Sequence, residues 1–270
     1  MGFKNIVEKF AVNYAHNTMQ KSLYNGLNIN ILDQKYAKKP KQGTEYMLYA
    51  HVPFCHTFCP YCSFHKYHYE QEIAKIYFEN LRQEMRQVKD AGFNFTSLYV
   101  GGGTTLINEP ELEKTLILAK ELFDIKDVSC ESDPNHIEPE NLKRFQGLID
   151  RLSVGVQSFS DEILKKVARH EKFGSSEVLQ EKLKKAMGIL PTLSLDLIFN
   201  LPNQTKEQLL NDVKIAKSIA PEQITFYPLM KSPLTRDAIA KSLGVADSDN
   251  EREFYELICE NFSDYHQSNA

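Results

Sequence analysis

The stretch Tyr49-Ala50-His51-Val52-Pro53-Phe54-Cys55-His56-Thr57-Phe58-Cys59-Pro60-Tyr61-Cys62 carries two signals. Its first half belongs to a short aromatic and apolar run, Tyr46 to Val52, which predicts a strand. Its second half sets three cysteines within eight residues, spaced C-x3-C-x2-C. A strand that runs directly into such a loop suggests a fold whose chemistry sits at the C-terminal ends of its strands, as in parallel α/β sheets.

Working outward, the same alternation repeats. Ile73, Ile76, Tyr77, Leu81, Met85 and Val88 recur at helical spacing, and Gly92 follows as a stop. Ser97 to Val100 predicts strand two, running into Gly101, Gly102 and Gly103. Leu112, Leu116, Ala119, Leu122 and Phe123 mark the next helix. Strand three is Val128 to Glu131, strand four Leu152 to Val156, strand five Leu193 to Phe199 and strand six Gln223 to Tyr227. Helical patterns fall at 138–146, 160–168 and 176–188, and Thr205 with Gln208 signs a capping box for a helix over 205–219. Strands that are nearly continuous in apolar residues, each followed by a helix, predict an α/β fold: a parallel sheet with outer helices. Right-handed crossovers then curl it into a barrel or an open barrel. The polar signals sit after strand ends: the cysteines after strand one, the glycines after strand two, Glu131 after strand three and Gln157 after strand four.

Composition sets limits. The chain has 270 residues, is 42% apolar and has a net charge of −4 with acids and bases mixed, which argues against a nucleic-acid protein driven by bulk charge. No stretch approaches the ~18 uninterrupted apolar residues of a spanning helix. Lys4, Glu8 and Lys9 interrupt the N-terminal region where a secretory signal needs an apolar run, so the expectation is a cytoplasmic protein with no membrane span. Residues 1–45 read as an N-terminal extension ending in an exposed connector (Lys35, Lys38, Lys39, Pro40, Lys41, Gly43), 46–232 as the barrel, and 233–270 as a helical tail.

Five cysteines, three of them crowded together, make a poor disulfide framework and suit a metal in a reducing compartment. Three thiolates at this spacing can wrap three irons of a cubane and leave the fourth iron open to a small molecule. The rival is structural zinc, with His65 or His68 completing a Cys3His set. Cys130 and Cys259 have no ligand spacing and read as buried apolar thiols. His56, His65, His68, His136 and His170 read as loop or surface residues.

The cysteine stretch, continuing through Ser63-Phe64, resembles the cluster loop of the oxygen-independent coproporphyrinogen III oxidase family of radical S-adenosylmethionine (SAM) proteins. Four further segments are similar to that family, in the same order: Tyr99-Val100-Gly101-Gly102-Gly103-Thr104, Glu131-Ser132-Asp133-Pro134, Arg151 to Phe159, and Asp196 to Thr205. The resemblance covers about residues 46–230 and implies a radical SAM partial (β/α)6 barrel. It implies a [4Fe–4S] cluster on Cys55, Cys59 and Cys62, with SAM chelating the open iron and yielding a 5′-deoxyadenosyl radical. By position, Gly101, Gly102, Gly103 and Thr104 would approach the SAM amino group. Glu131 would accept from the amine or ribose, and Gln157 and Asp196 would contact the ribose region. Arg169 would reach toward the carboxylate, and Tyr61 would lie beside the adenine. Tyr49 and His51 would face the barrel mouth, toward substrate or a second SAM. Taken singly, each also reads as an ordinary turn, core or surface residue.

The resemblance further implies a porphyrinogen or heme-type small molecule and a reduced flavodoxin or ferredoxin as electron donor. Two departures stand out. Phe64 occupies the place of a fourth cysteine in the oxidases, as in heme-chaperone and heme-degrading methyltransferase branches, and Thr105 replaces a proline. The family also continues into a C-terminal domain, so the expectation is that 233–270 starts a truncated region. Three functions follow: decarboxylation of propionate side chains to vinyl groups, heme binding or modification without decarboxylation, and a structural zinc protein.

Overall fold

Period-two alternation decides which face of each strand is core. In β1 (Met47–Val52), Ala50 and Val52 are buried while Tyr49 and Met47 are exposed on the opposite face. The same division recurs in β2 (Ser97–Gly102), β3 (Asp127–Ser132), β4 (Arg151–Gln157), β5 (Thr192–Phe199) and β6 (Gln223–Pro228). Leu98, Val100, Val128, Cys130, Leu152, Val154, Leu193, Leu195 and Leu197 all join one apolar core. The other face carries Tyr99, Glu131, Arg151, Ser153, Ser194, Asp196, Thr225 and Tyr227.

In the computed structural model the six strands form one parallel sheet in chain order, β1-β2-β3-β4-β5-β6, and the two end strands do not pair with each other. Parallel neighbours require crossovers, and helices supply them. They are α1 (Gln71–Asp90), α2 (Glu109–Leu122), α3 (Pro139–Arg144), α4 (Asp161–Lys166), α5 (His170–Phe173), α6 (Ser176–Ala186) and α7 (Lys206–Ile219). Helix α1 buries Ala74, Phe78 and Met85 at helical spacing. Helix α7 begins with the expected capping box, in which the Thr205 and Gln208 side chains each bond the other's backbone. The result is the open, partial (β/α)6 barrel, with an apolar shell under the helices and a polar inner face.

The register lines up polar residues across that inner face. Tyr49 pairs with Tyr99, His51 with Gly101, Glu131 with Ser153, Ser153 with Ser194, and Gly155 with Asp196. After β6 come α8 (Arg236–Leu243) and α9 (Glu251–Asn261). Ile239 and Leu243 of α8 pack with Ile163, Val167, Leu201 and Leu229. Phe254 and Ile258 of α9, with Phe262, pack on Phe199, Leu209 and Val213. Each such side chain contributes about 1.5–3 kcal/mol on burial, whereas the Lys217–Asp264 pair lies exposed, where solvent screens it. Apolar contact therefore holds α9.

The structure describes residues 14, 15, 17–19, 21, 22, 39–230, 232–245 and 249–267. The chain divides into two units, 1–40 and 41–270. In the first, the described residues between 14 and 22 are helical and Thr18 Oγ1 donates to the Tyr14 carbonyl. Much of the expected N-terminal extension and connector, Lys35 and Lys38 included, lies outside the described residues. Among the described residues, no helix is long and apolar enough to cross a membrane.

One sequence expectation needs correction. Cys130 is fully buried, but Cys259 is only half-buried, because it lies beside the packed face of α9. His136 lies in the loop after β3, where it is largely buried against Asp133.

Candidate cofactor site

The cysteine loop is rooted by a two-residue ladder, Phe54–Cys55 against Tyr67–His68. Tyr67 N donates to the Pro53 carbonyl at 2.6 Å and Tyr69 N to the Cys55 carbonyl at 3.0 Å, so residues 56–66 return to their start. Phe54 is buried edge-on to Tyr69 and Tyr77, and the Tyr77 hydroxyl donates to the His51 carbonyl at 2.6 Å. Inside the loop, Cys62 N donates to the Cys59 carbonyl and Lys66 Nζ to the Cys62 carbonyl. Burial pushes the Cys55 thiol up; Thr104 and Lys172 oppose this, and the neighbouring Cys62 and Cys59 add to it. The three sulfurs thus share one electrostatic neighbourhood. Three thiols on one short loop, spaced C-x3-C-x2-C, fit the multi-iron group expected from the sequence.

The glycines are required by the protein's own packing. A Cβ on Gly103 would lie 2.5 Å from the Phe54 carbonyl and 3.0 Å from Cys55 Sγ. Gly102, at φ +123°, would bring a Cβ within 2.6 Å of the His51 ring. Glycine here lets β2 run hard against β1 and the cysteine loop. Gly103 N and Thr104 N then donate to the Val52 and Phe54 carbonyls, each at 2.8 Å.

Beyond the glycines lie the acids. Both Glu131 oxygens are engaged, one by the Tyr99 hydroxyl at 2.7 Å and the other by Gly102 N at 3.0 Å. Asp196 Oδ2 accepts from the Ser153 hydroxyl at 2.6 Å, while its Oδ1 is buried without a partner among the described residues. Burial pushes the Asp196 carboxyl up to about 6. Gln157 sits at φ +76°, where the β4–β5 register shifts, and a Cβ on Gly155 would lie 2.6 Å from its Nε2.

Arg169 ties the loop to β4. It is 5% exposed; one terminal nitrogen donates to Cys59 Sγ at 3.5 Å and to the Tyr61 hydroxyl at 3.3 Å, and the other donates to the Gly155 carbonyl. Its guanidinium stacks on Phe173, and its Nε is buried without a partner among the described residues. Tyr61 packs against the small core beneath α8, and burial pushes its phenol up. On β1, His51 Nε2 donates to the His65 carbonyl at 3.1 Å, because a carbonyl can only accept. His51 Nδ1 therefore accepts from the Tyr49 hydroxyl at 2.9 Å.

The structure thus joins Thr104 to Cys55, Arg169 to both Cys59 and Tyr61, Gly102 to Glu131, and Ser153 to Asp196. Tyr49 and His51 form their own pair on β1. Sequence reading missed Asp133, His136 and Lys172. Asp133 accepts from Thr104 Oγ1 (3.2 Å), Asn135 N (3.0 Å) and His136 Nδ1 (2.8 Å), with Lys172 Nζ at 3.5 Å. The only signal was its place inside Glu131-Ser132-Asp133-Pro134; no periodicity marks a residue whose partners come from three segments.

The radical SAM superfamily profile matches residues 49–216, and that superfamily uses a [4Fe–4S] cluster together with SAM. The heme chaperone HemW of Bacillus subtilis is 32% identical over 225 residues, covering 78% of this chain and 58% of that protein. The oxygen-independent coproporphyrinogen III oxidase of Helicobacter pylori J99 is 31% identical over 206 residues, covering 72% of this chain and 44% of that protein. The chain spans about half the length of these relatives. Coproporphyrinogen III oxidase (HemN) from Escherichia coli, a radical SAM enzyme, superposes with a TM-score of 0.67 at 27% identity, covering 81% of this chain and 52% of that one. An open parallel barrel, three thiols at its mouth and these matches lead to one placement: the chain belongs to the radical SAM superfamily, in the family of oxygen-independent coproporphyrinogen III oxidases and their heme-chaperone relatives.

Proposed function

We propose that this chain is a radical SAM protein of tetrapyrrole metabolism, with the cluster held by Cys55, Cys59 and Cys62 and SAM held along the ends of β2 to β5. The observation that carries the reading is a pair of buried polar atoms at those ends. Among the described residues Asp196 Oδ1 and Arg169 Nε find no partner, an arrangement costly unless a ligand completes it. Asp196 accepts ligand hydroxyls, as a ribose presents them. Arg169 keeps Nε for a ligand acceptor while its terminal nitrogens hold Cys59, Tyr61 and β4 in place. Glu131, with both oxygens engaged, orients the glycine turn and offers its remaining lone pairs to the SAM amine. Tyr49 and His51 line the inner face where the substrate enters, and residues 46–232 form the cofactor-bearing barrel. When bound, the cluster and SAM supply a carbon radical able to abstract hydrogen.

The reaction assigned is oxidative decarboxylation: removal of a hydrogen atom from a propionate β-carbon, followed by loss of CO2 and transfer of one electron to an external one-electron acceptor, leaves a vinyl group. A reduced flavodoxin or ferredoxin is the electron donor. A second reading, heme holding without decarboxylation, is favoured by Phe64, which is 59% exposed where the oxidases carry a further cysteine. Anaerobic incubation with coproporphyrinogen III, SAM and dithionite separates them. Vinyl product together with 5′-deoxyadenosine supports decarboxylation; heme affinity without vinyl product supports the second reading. Cys59→Ala is expected to abolish the ~410 nm cluster absorption with the far-UV spectrum retained. Full absorption in that variant sinks the ligand assignment.

A further inference from the structure

Asp133 is the most heavily bonded carboxylate near the cysteine loop, and the roles assigned above leave it unused. It is 6% exposed and follows β3. Oδ1 accepts from Asn135 N and His136 Nδ1, while Oδ2 faces Thr104 Oγ1 and Lys172 Nζ. A carboxylate that only closed the turn after β3 would need the Asn135 bond alone. One of its partners also reaches Cys55: Thr104 Oγ1 lies 3.9 Å from Cys55 Sγ. Lys172 Nζ, 3.5 Å from Asp133 Oδ2, brings a cation to the same carboxylate. Thr104 has one hydroxyl proton and two acceptors for it, Asp133 Oδ2 and Cys55 Sγ.

We propose that Asp133 is a positioning residue for the cluster: it fixes the Thr104 hydroxyl beside Cys55, holds the Lys172 ammonium against its own carboxylate, and thereby sets the potential at which the cluster accepts an electron. This rests on the assignment of the cluster to Cys55, Cys59 and Cys62. The physics is general: hydrogen bonds to ligating sulfurs and nearby charge set cluster potentials, and outer partners orient the ligands. A buried anion near the cluster disfavours adding an electron, and a buried cation favours it. Asp133 also draws the Thr104 proton away from Cys55, so its charge and its hydrogen bond act in the same direction.

The test is the midpoint potential of the reconstituted protein, read by anaerobic titration with electron paramagnetic resonance. Asp133→Asn keeps the shape, removes the charge and releases the Thr104 proton toward Cys55, so the potential is expected to rise. Lys172→Met and Thr104→Val remove a cation and a donor, so both are expected to lower it. Each shift is expected to be about tenfold in the one-electron equilibrium, or about 59 mV. Opposite signs are not produced by loosening of the loop, which lowers cluster content instead. Should Asp133→Asn take up no cluster, the other two variants decide. Full cluster content with all potentials unmoved overturns the positioning role and leaves the ligand assignment standing. A parent protein that assembles no cluster under iron and sulfide overturns both.

Discussion

Asp196 shows what a single residue discloses about a site. Its carboxyl is pushed up to about 6 because one oxygen is buried without a donor. A raised carboxyl stabilises the ligand-free fold below its ordinary value of 3.8, and that contribution is lost as pH rises through about 6. A ligand hydroxyl donating to Oδ1 favours the ionised form and draws the value down again. SAM is therefore expected to bind more tightly at pH 8 than at pH 5, with proton release near pH 6. Asp196→Ala should weaken binding by about 10- to 100-fold, the worth of a charge-assisted hydrogen bond, with cluster content unchanged. Calorimetric titration of SAM across pH checks both, and unaltered affinity in the variant removes Asp196 from the site. At this scale the spacing of Cys55, Cys59 and Cys62 was readable by itself because thiols carry their own chemistry, whereas Asp196 was singled out only through the family resemblance. Asp133 and the fixed tautomer of His51 were not legible, because their roles come from partners distant in sequence.

Among elements, the segment after β5 shows how the tail is attached. Asn200 and Asn203 adopt φ +61° and +60°, a region few side chains other than asparagine accept. Asn200 Nδ2 donates to Asp249 Oδ1 at 2.9 Å and its Oδ1 accepts from Asn250 N, while Asn203 Nδ2 donates to the Leu243 carbonyl. Two left-handed residues thus bond the segments that bracket α8 and α9. Asn200→Ala is expected to cost about 1–3 kcal/mol, combining backbone strain with lost hydrogen bonds. Asn200→Gly, which keeps the backbone free, should cost less. Urea unfolding of the two variants measures the difference; equal losses would exclude a backbone contribution. The strands and the capping box of α7 were legible because short-range pattern dictates them. The Phe54–Cys55 ladder and the single-turn α5 were not, since two and four residues carry no period.

For the whole molecule, the open sheet makes protection uneven. Among the described residues β2, β3, β4 and β5 have a paired strand on both sides, while β1 and β6 have one each. Hydrogen exchange is expected to be slowest in β2 to β5, with β1 and β6 opening first. Exchange followed by mass spectrometry tests this, and slowest exchange in β1 would contradict it. The parallel sheet was foreseeable because six strand-and-helix units recur in series; the polar bonding across its inner face emerges only when the register is known. That inner face has a final consequence. Folding rests on the side chains beneath the helices, whereas residues such as Tyr49, Thr225 and Tyr227 project the opposite way and are only partly enclosed. Mutational drift in the lumen is thereby uncoupled from the scaffold. One ancestral barrel can sample new cargoes, or lose a reaction and keep its grip on a molecule, while its thermodynamic foundation stays where it was.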